Sequence, residues 1–237
     1  AHMRTYGSTQ AQIAAVSAKN HVHSTHNPLA QYRKPYTVEA VLAAPPIVFP
    51  LTLPMCSPIS DGAAAAVICN SAGLRKLAVS DDRAIRVLAS VLQTSAERDP
   101  YDYDRHVTRL AAMRAYAMAG LGPLDVDVAE VHDATAMGEI IEIEALGLVP
   151  PGEGGIAAER GDTVIGGRIP VNPSGGLECK GHPIGATGLG QIYELVSQLR
   201  GDAGARQIEG ARVAVAQNGG GVLGVEEAVV AVTILGR

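Results

Sequence analysis

The chain has 237 residues, is 47% apolar and 18% charged, and carries a net charge of -5 at pH 7. That composition belongs to a folded globular protein, and the acidic balance, without a basic stripe of interleaved aromatics, argues against a nucleic-acid surface. No apolar run approaches the roughly 18 residues a membrane span needs, and the odd set Cys56, Cys69 and Cys179 has no metal-type spacing, so no zinc site is read and a reducing, cytoplasmic setting is expected.

Taken in chain order, the opening "AHM" reads as an expression scar over residues 1–3, and no signal-peptide pattern opens the chain. Helical spacing with a preceding Thr and a following Asn27-Pro28 predicts a helix over residues 9–23. It ends in "HVHSTH", the only histidine cluster, read as a polar helix end rather than a metal site because no cysteine or carboxylate stands nearby. Residues 34–62 are dense in proline and predict only a short helix and a short extended segment. "GAAAAVICNS" (62–71) predicts an apolar strand and "AIRVLASVLQT" (84–94) a second one. "RHVTRLAAMRAYAMAGL" predicts a helix closed by Gly120, with Pro123 just beyond.

A strand over 127–133, a helix over 136–148 and a helix over 189–200 follow, and strands over 212–218 and 226–235 close the chain. The alternation predicts an α/β layered fold: a mixed, mostly parallel sheet, antiparallel at its end, with helices on both faces. Chemistry in such sheets gathers beyond the carboxyl ends of strands. Three loops qualify: "HDAT" (132–135), "NPSGGLECKGHPIGATG" (172–188) and "QNGGGVLG" (217–224).

His182 stands between Gly181 and Pro183 in a segment that fits neither a helix nor a strand. An imidazole there can pass a proton near neutrality, and glycines let a ligand approach the backbone. His132-Asp133 ends a strand and serves equally as a helix cap. The three glycines at 219–221 suit either a tight turn or a row of amides forming an oxyanion hole.

Together "NPSGGLECKGHPIGATG", "EVHDAT" with "GEIIEIEALGL", and "SDGAAAAVI" resemble the thiolase superfamily, in the branch related to sterol-carrier-protein thiolases and thiolase-like aldolases. The resemblance implies two similar α/β halves in a five-layer, usually dimeric fold that acts on coenzyme A thioesters as substrates, with no permanently bound cofactor. Residues 4–80 would hold the end of the loop domain and of the N-terminal half, and residues 81–237 the C-terminal domain. By motif, His182 would activate the nucleophile and polarise the thioester carbonyl, and His132 would hold the second carbonyl oxygen. The Gly219 amide would complete the acyl oxyanion hole, and Ser174, Gly175, Gly219 and Gly220 would line the coenzyme A site.

The departures concern both cysteines of that chemistry. Nothing matches the family's Ser-x-Cys-x-Ser nucleophile segment, which belongs to the first half of a longer chain. The two positions that carry the second cysteine hold Gln217 and Ala134. Cys179 lies in the right loop but at neither site, and reads as a small buried hydrophobe. The resemblance therefore implies a thiolase-like acyl-CoA C-acyltransferase, cleaving or forming 3-ketoacyl-CoA, whose nucleophile comes from elsewhere. The alternatives are a retro-aldolase of steroid side-chain degradation, working beside an OB-fold and zinc-ribbon partner, and a non-catalytic acyl-CoA- or partner-binding domain. For the lyase the proton carrier would be His132, His182 or Tyr193, although Tyr193 reads as a core residue of its helix. A half-fold exposes apolar faces, so association is expected, either as a homodimer or with the missing half.

Overall fold

The computed structural model describes residues 1–77, 80 and 83–237. The domain boundary expected at 80/81 abuts positions outside the described residues. Residues 1–3, set apart as a scar, make contacts: the helix α1 (His2–Tyr6) places His2 Nε2 2.8 Å from Glu144 Oε2, and Met3 packs against apolar neighbours.

Helix α2 (Gln10–Thr25) begins where predicted, because Thr9 and Gln12 satisfy each other's backbone amides at 3.2 and 3.0 Å. It is buried along most of its length, including the polar Lys19, Asn20 and His23. The proline-dense stretch supplies the short helix α3 (Val38–Leu42) and the two-stranded ribbon β1 (Pro46–Val48) and β2 (Leu51–Thr52), as its prolines require.

The strand predicted over 62–71 does not form. Residues 62–70 are irregular, Val67 and Ile68 are each 85% exposed, and the helix α4 (Ser71–Leu77) follows. An apolar run becomes a strand only against a neighbour that takes its amides and carbonyls, and among the described residues none pairs with this one.

The central sheet comprises β3 (Arg86–Thr94), β4 (Val128–Glu130), β5 (Val213–Gly220) and β6 (Val229–Gly236), in the order β3-β6-β5-β4. It is mixed as expected but not mostly parallel: only β4 and β5 run parallel, while β6 is antiparallel to both neighbours. The link from β5 to β6 is too short for a crossover, which forces the hairpin and leaves β3 to pair along the far edge of β6.

Period-two alternation splits the sheet into two faces. Val215, Val230, Val232 and Ile234 pack with α5 (Val107–Ala119), while Ala214, Ala216 and Leu235 pack with α9 (Thr187–Arg200). The remaining helices α6 (Ala136–Ala145), α7 (Gly154–Arg160) and α8 (Gly176–Lys180) surround α2. Helices α4, α7 and α8 were not read from the sequence, the last two because glycine-rich starts conceal short helices.

Large apolar side chains remain on the outside: Met113 and Met118 on α5, Leu92 on β3, and Leu189 and Tyr193 on α9. Tyr193, expected in the core, is 53% exposed. It sits on the outward side of α9, whose inward side is taken by Leu195 and Leu199. No described helix is long and apolar enough to cross a membrane.

Candidate active site

The carboxyl ends of β4 and β5 and the loop before α9 bring His132 and His182 together. Their rings meet edge to face with centroids 4.9 Å apart and planes inclined by 83°. Sequence separation hides this pairing, which arises because the loop between α8 and α9 meets the loop that follows β4.

The hydrogen bonds around each ring decide what it offers a ligand. His132 Nδ1 accepts the Gly219 N–H at 3.2 Å, and the Asn218 Nδ2 amide lies at the same distance. A backbone N–H can only donate, so the neutral ring carries its hydrogen on Nε2. Burial, then the nearby His182 and Lys180, push His132 down to about 4, which keeps it uncharged near neutrality. It is thus a neutral hydrogen-bond donor. His182 has the opposite polarity. The Thr187 hydroxyl donates to Pro183 O at 3.1 Å, so it accepts from His182 Nδ1 at 2.7 Å and leaves the Nε2 lone pair of His182 free. Burial and Lys180 lower its pKa as well, so the lone pair is available around pH 7.

Gln217, where the resemblance places a cysteine, is buried and hydrogen-bonded through both its amide groups. Its Oε1 accepts the backbone N–H of His132 at 2.9 Å, its Nε2 donates to Thr108 Oγ1 at 3.2 Å, and its backbone carbonyl accepts from Gln191 Nε2 at 2.9 Å. It positions His132 rather than reacting. The other expected contacts are placed as follows. The Ser174 N–H and hydroxyl both bond the buried Glu130, at 3.1 and 2.8 Å, and the Gly175 N–H donates to Asn172 O at 2.9 Å, so these three donors are engaged within the chain. The Gly219 amide is directed at His132, and Gly220 is a ladder residue opposite Val229. Thr187, which sets the His182 tautomer, and Asn218 and Gln191, which bond each other beside His132, are not singled out by the sequence, since no motif marks a supporting hydrogen bond.

Beneath the histidines, α2 carries a buried polar cluster that fixes both loops. Lys19 Nζ bonds Glu139 at 2.6 Å and Val171 O at 2.8 Å, and Asn20 Nδ2 lies 3.1–3.2 Å from Asp133, Glu139 and Glu178. Asp133 Oδ1 accepts the Leu177 N–H at 2.8 Å, tying the His132 loop to the helix that leads to His182. Any side chain at Gly176 would strike Asp133 Oδ2, and its φ of +62° also favours glycine there. Of the histidine cluster on α2, His23 uses Nδ1 on Asn172 O and accepts the Ile165 N–H on Nε2, while His21 turns to Pro54 O.

Burial, then the neighbouring Glu139, pushes Glu178 up to about 8 from an ordinary 4.5. Between those values the folded chain holds a proton that the unfolded chain has released. Stability therefore falls as pH rises through that window and levels above it. The buried His23, His106 and His132, pushed down to about 3, 4 and 4, act only on the acid side of pH 6.5. Urea unfolding of Glu178→Gln between pH 7 and 8 is accordingly expected to show a shallower decline than the parent, the raised Asp133 and Glu142 carboxyls supplying the rest. An unchanged slope would remove Glu178 as its source.

Residues 89–237 match the family model described as thiolase C-terminal domain-like. The chain is 46% identical over 224 residues to an acetyl-CoA acetyltransferase of Methanothermobacter thermautotrophicus, covering 94% of this chain and 58% of that protein. It is 42% identical over 226 residues to sterol carrier protein 2 of Oryctolagus cuniculus, covering 92% of this chain and 41% of that one. It thus spans about half the length of these relatives. The solved Ltp2-ChsH2(DUF35) aldolase superposes with a TM-score of 0.80 at 22% identity, over all of this chain and 60% of that one, a likeness of fold.

Proposed function

The chain belongs to the thiolase family, and we propose on that footing that it carries the histidine half of an acyl-CoA C-acyltransferase site that cleaves or forms 3-ketoacyl-CoA. The observation that carries this reading is the polarity of the two rings. His182 presents a lone pair able to take a thiol proton, and 4.9 Å away, centroid to centroid, His132 presents an N–H able to hold a carbonyl oxygen.

The nucleophile is not among the cysteines described. No hydrogen bond joins Cys56, Cys69 or Cys179 to either histidine among the described residues, and burial raises the thiols of Cys56 and Cys179, the reverse of activation. In the proposed enzyme the acyl-accepting cysteine comes from a family N-terminal half, seated on the apolar surfaces left open by α9 and residues 59–68. Those surfaces include Ile59, Ile184 and Tyr193. Homodimerisation and a cytoplasmic setting belong to the same proposal.

The likeness of this chain to 60% of the aldolase chain in fold, together with Gln217 and Ala134 where the resemblance places the second cysteine, supports a second reading as a carbon–carbon lyase, which needs no acyl cysteine. Radiolabelled acetyl-CoA separates the two. Transfer of label to a cysteine of the native assembly, on whichever chain holds it, is expected for the acyltransferase. Turnover without any covalent label would leave the lyase.

A further inference from the structure

A second group of titratable side chains lies on the α5 face of the sheet, directly behind Gly219. His106, Glu142 and Glu227 place their ligand atoms within 4.8 Å of one another. Glu142 also faces Glu226 and Thr108, and Arg98 Nε donates to Glu226 Oε2 at 2.7 Å. Glu142 is 2% exposed, and its Oε2 has no hydrogen-bond partner among the described residues. Glu227, in contrast, is only partly buried. Its carboxyl carbon comes within 2.9 Å of where a Cβ on Gly219 would stand, so glycine there leaves room for Glu227.

The spacing suits a cation, but the bonding does not. His106 Nδ1 accepts the Thr108 N–H at 3.3 Å, which puts the ring hydrogen on Nε2 and removes the lone pair a metal would need. The Arg98 guanidinium already supplies positive charge to this cluster. The group is therefore built to hold a proton. Burial, then the charge of Glu227, raises the Glu142 carboxyl well above its ordinary value, so Glu142 stays protonated beside its neighbour.

We propose that Glu227, supported by Glu142, is the acid/base group for the substrate carbon, in the role that a second cysteine fills in other thiolases. This rests on the coenzyme A thioester reading above. The Glu227 carboxylate takes a proton from the carbon next to the thioester carbonyl, and the C–H electron pair becomes that of the enolate. The His132 N–H bonds the enolate oxygen. In the cleavage direction Glu227 starts as the acid: the enolate released by the breaking carbon–carbon bond takes its proton, and the carboxylate regains one from the thiol of the coenzyme A that accepts the acyl group. Gln217, a neutral amide with its polar groups spent, cannot perform either step.

The experiment is exchange of the methyl hydrogens of acetyl-CoA for deuterium in D2O, followed by mass spectrometry, with binding of acetyl-CoA by the same chain measured calorimetrically. The parent is expected to exchange, Glu227→Gln to bind equally and exchange at least about 100-fold more slowly, and Glu227→Asp to keep part of the rate. Glu142→Gln is expected to lower the rate less than Glu227→Gln. Exchange by Glu227→Gln at the parental rate overturns the proposal, as does a parent that binds acetyl-CoA without exchange. A parent that does not bind acetyl-CoA at all overturns the thioester reading beneath it.

Discussion

Replacing His182 by Asn is expected to lower turnover of a coenzyme A thioester by about 10²–10⁴-fold while thioester binding stays nearly unchanged. Asparagine keeps a polar group of similar reach in the loop between Gly181 and Pro183, so the fold is spared, but it has no lone pair of useful basicity to offer a thiol. The loss therefore falls on the chemical step. The Thr187 hydroxyl sharpens the test, because its bond to His182 Nδ1 at 2.7 Å is what presents Nε2 as the base. Thr187→Val removes that bond and leaves the tautomer free, so it is expected to cost part of the His182 effect, and Thr187→Ser to restore it. Single-turnover kinetics against calorimetric binding separates the steps. A drop of less than about tenfold for His182→Asn would assign the base elsewhere.

The largest effect on stability is expected at Lys19. Its side chain is 3% exposed and its ammonium bonds Glu139 at 2.6 Å, beside Asp133 and Glu178 on the same cluster. Lys19→Ala leaves buried carboxylates without their cation, a change that typically costs about 3–5 kcal/mol. Against a total of roughly 5–15 kcal/mol for a folded domain, that is a large share. The midpoint of thermal unfolding is expected to fall by about 10 °C, at 2–4 °C per kcal/mol for a chain of this size. Protonation of the cluster offers partial relief, since Asp133 and Glu178 already lean toward their neutral forms. The deficit should therefore shrink below pH 5. A Lys19→Ala protein with the parental midpoint at pH 7 would show that the cluster carries no net charge needing an internal cation.

The same cluster explains which parts of the fold were legible. Helix α2 was read from its apolar spacing and Thr9 cap, and both are local. Its end, "HVHSTH", reads as polar, yet His21 and His23 are buried, as are Lys19 and Asn20 before them, because α6, α7 and α8 pack around the helix. The apolar run at 62–70 failed in the opposite sense: local composition favoured a strand, and no described neighbour pairs with it. Tyr193 failed for a related reason, since helical periodicity marks an apolar stripe without saying whether a second face is covered.

Motif and periodicity, both properties of neighbouring residues, determined the α/β class, the positions of β3, β5, β6, α5 and α9, the family resemblance and the choice of His132 and His182. Sheet order, the single parallel pair, the tautomers set by Gly219 and Thr187, and the carboxyl group behind Gly219 were decided only by tertiary structure. Each of these depends on contacts between residues five to more than a hundred positions apart, where hydrogen-bond direction and burial, rather than residue type, fix the chemistry.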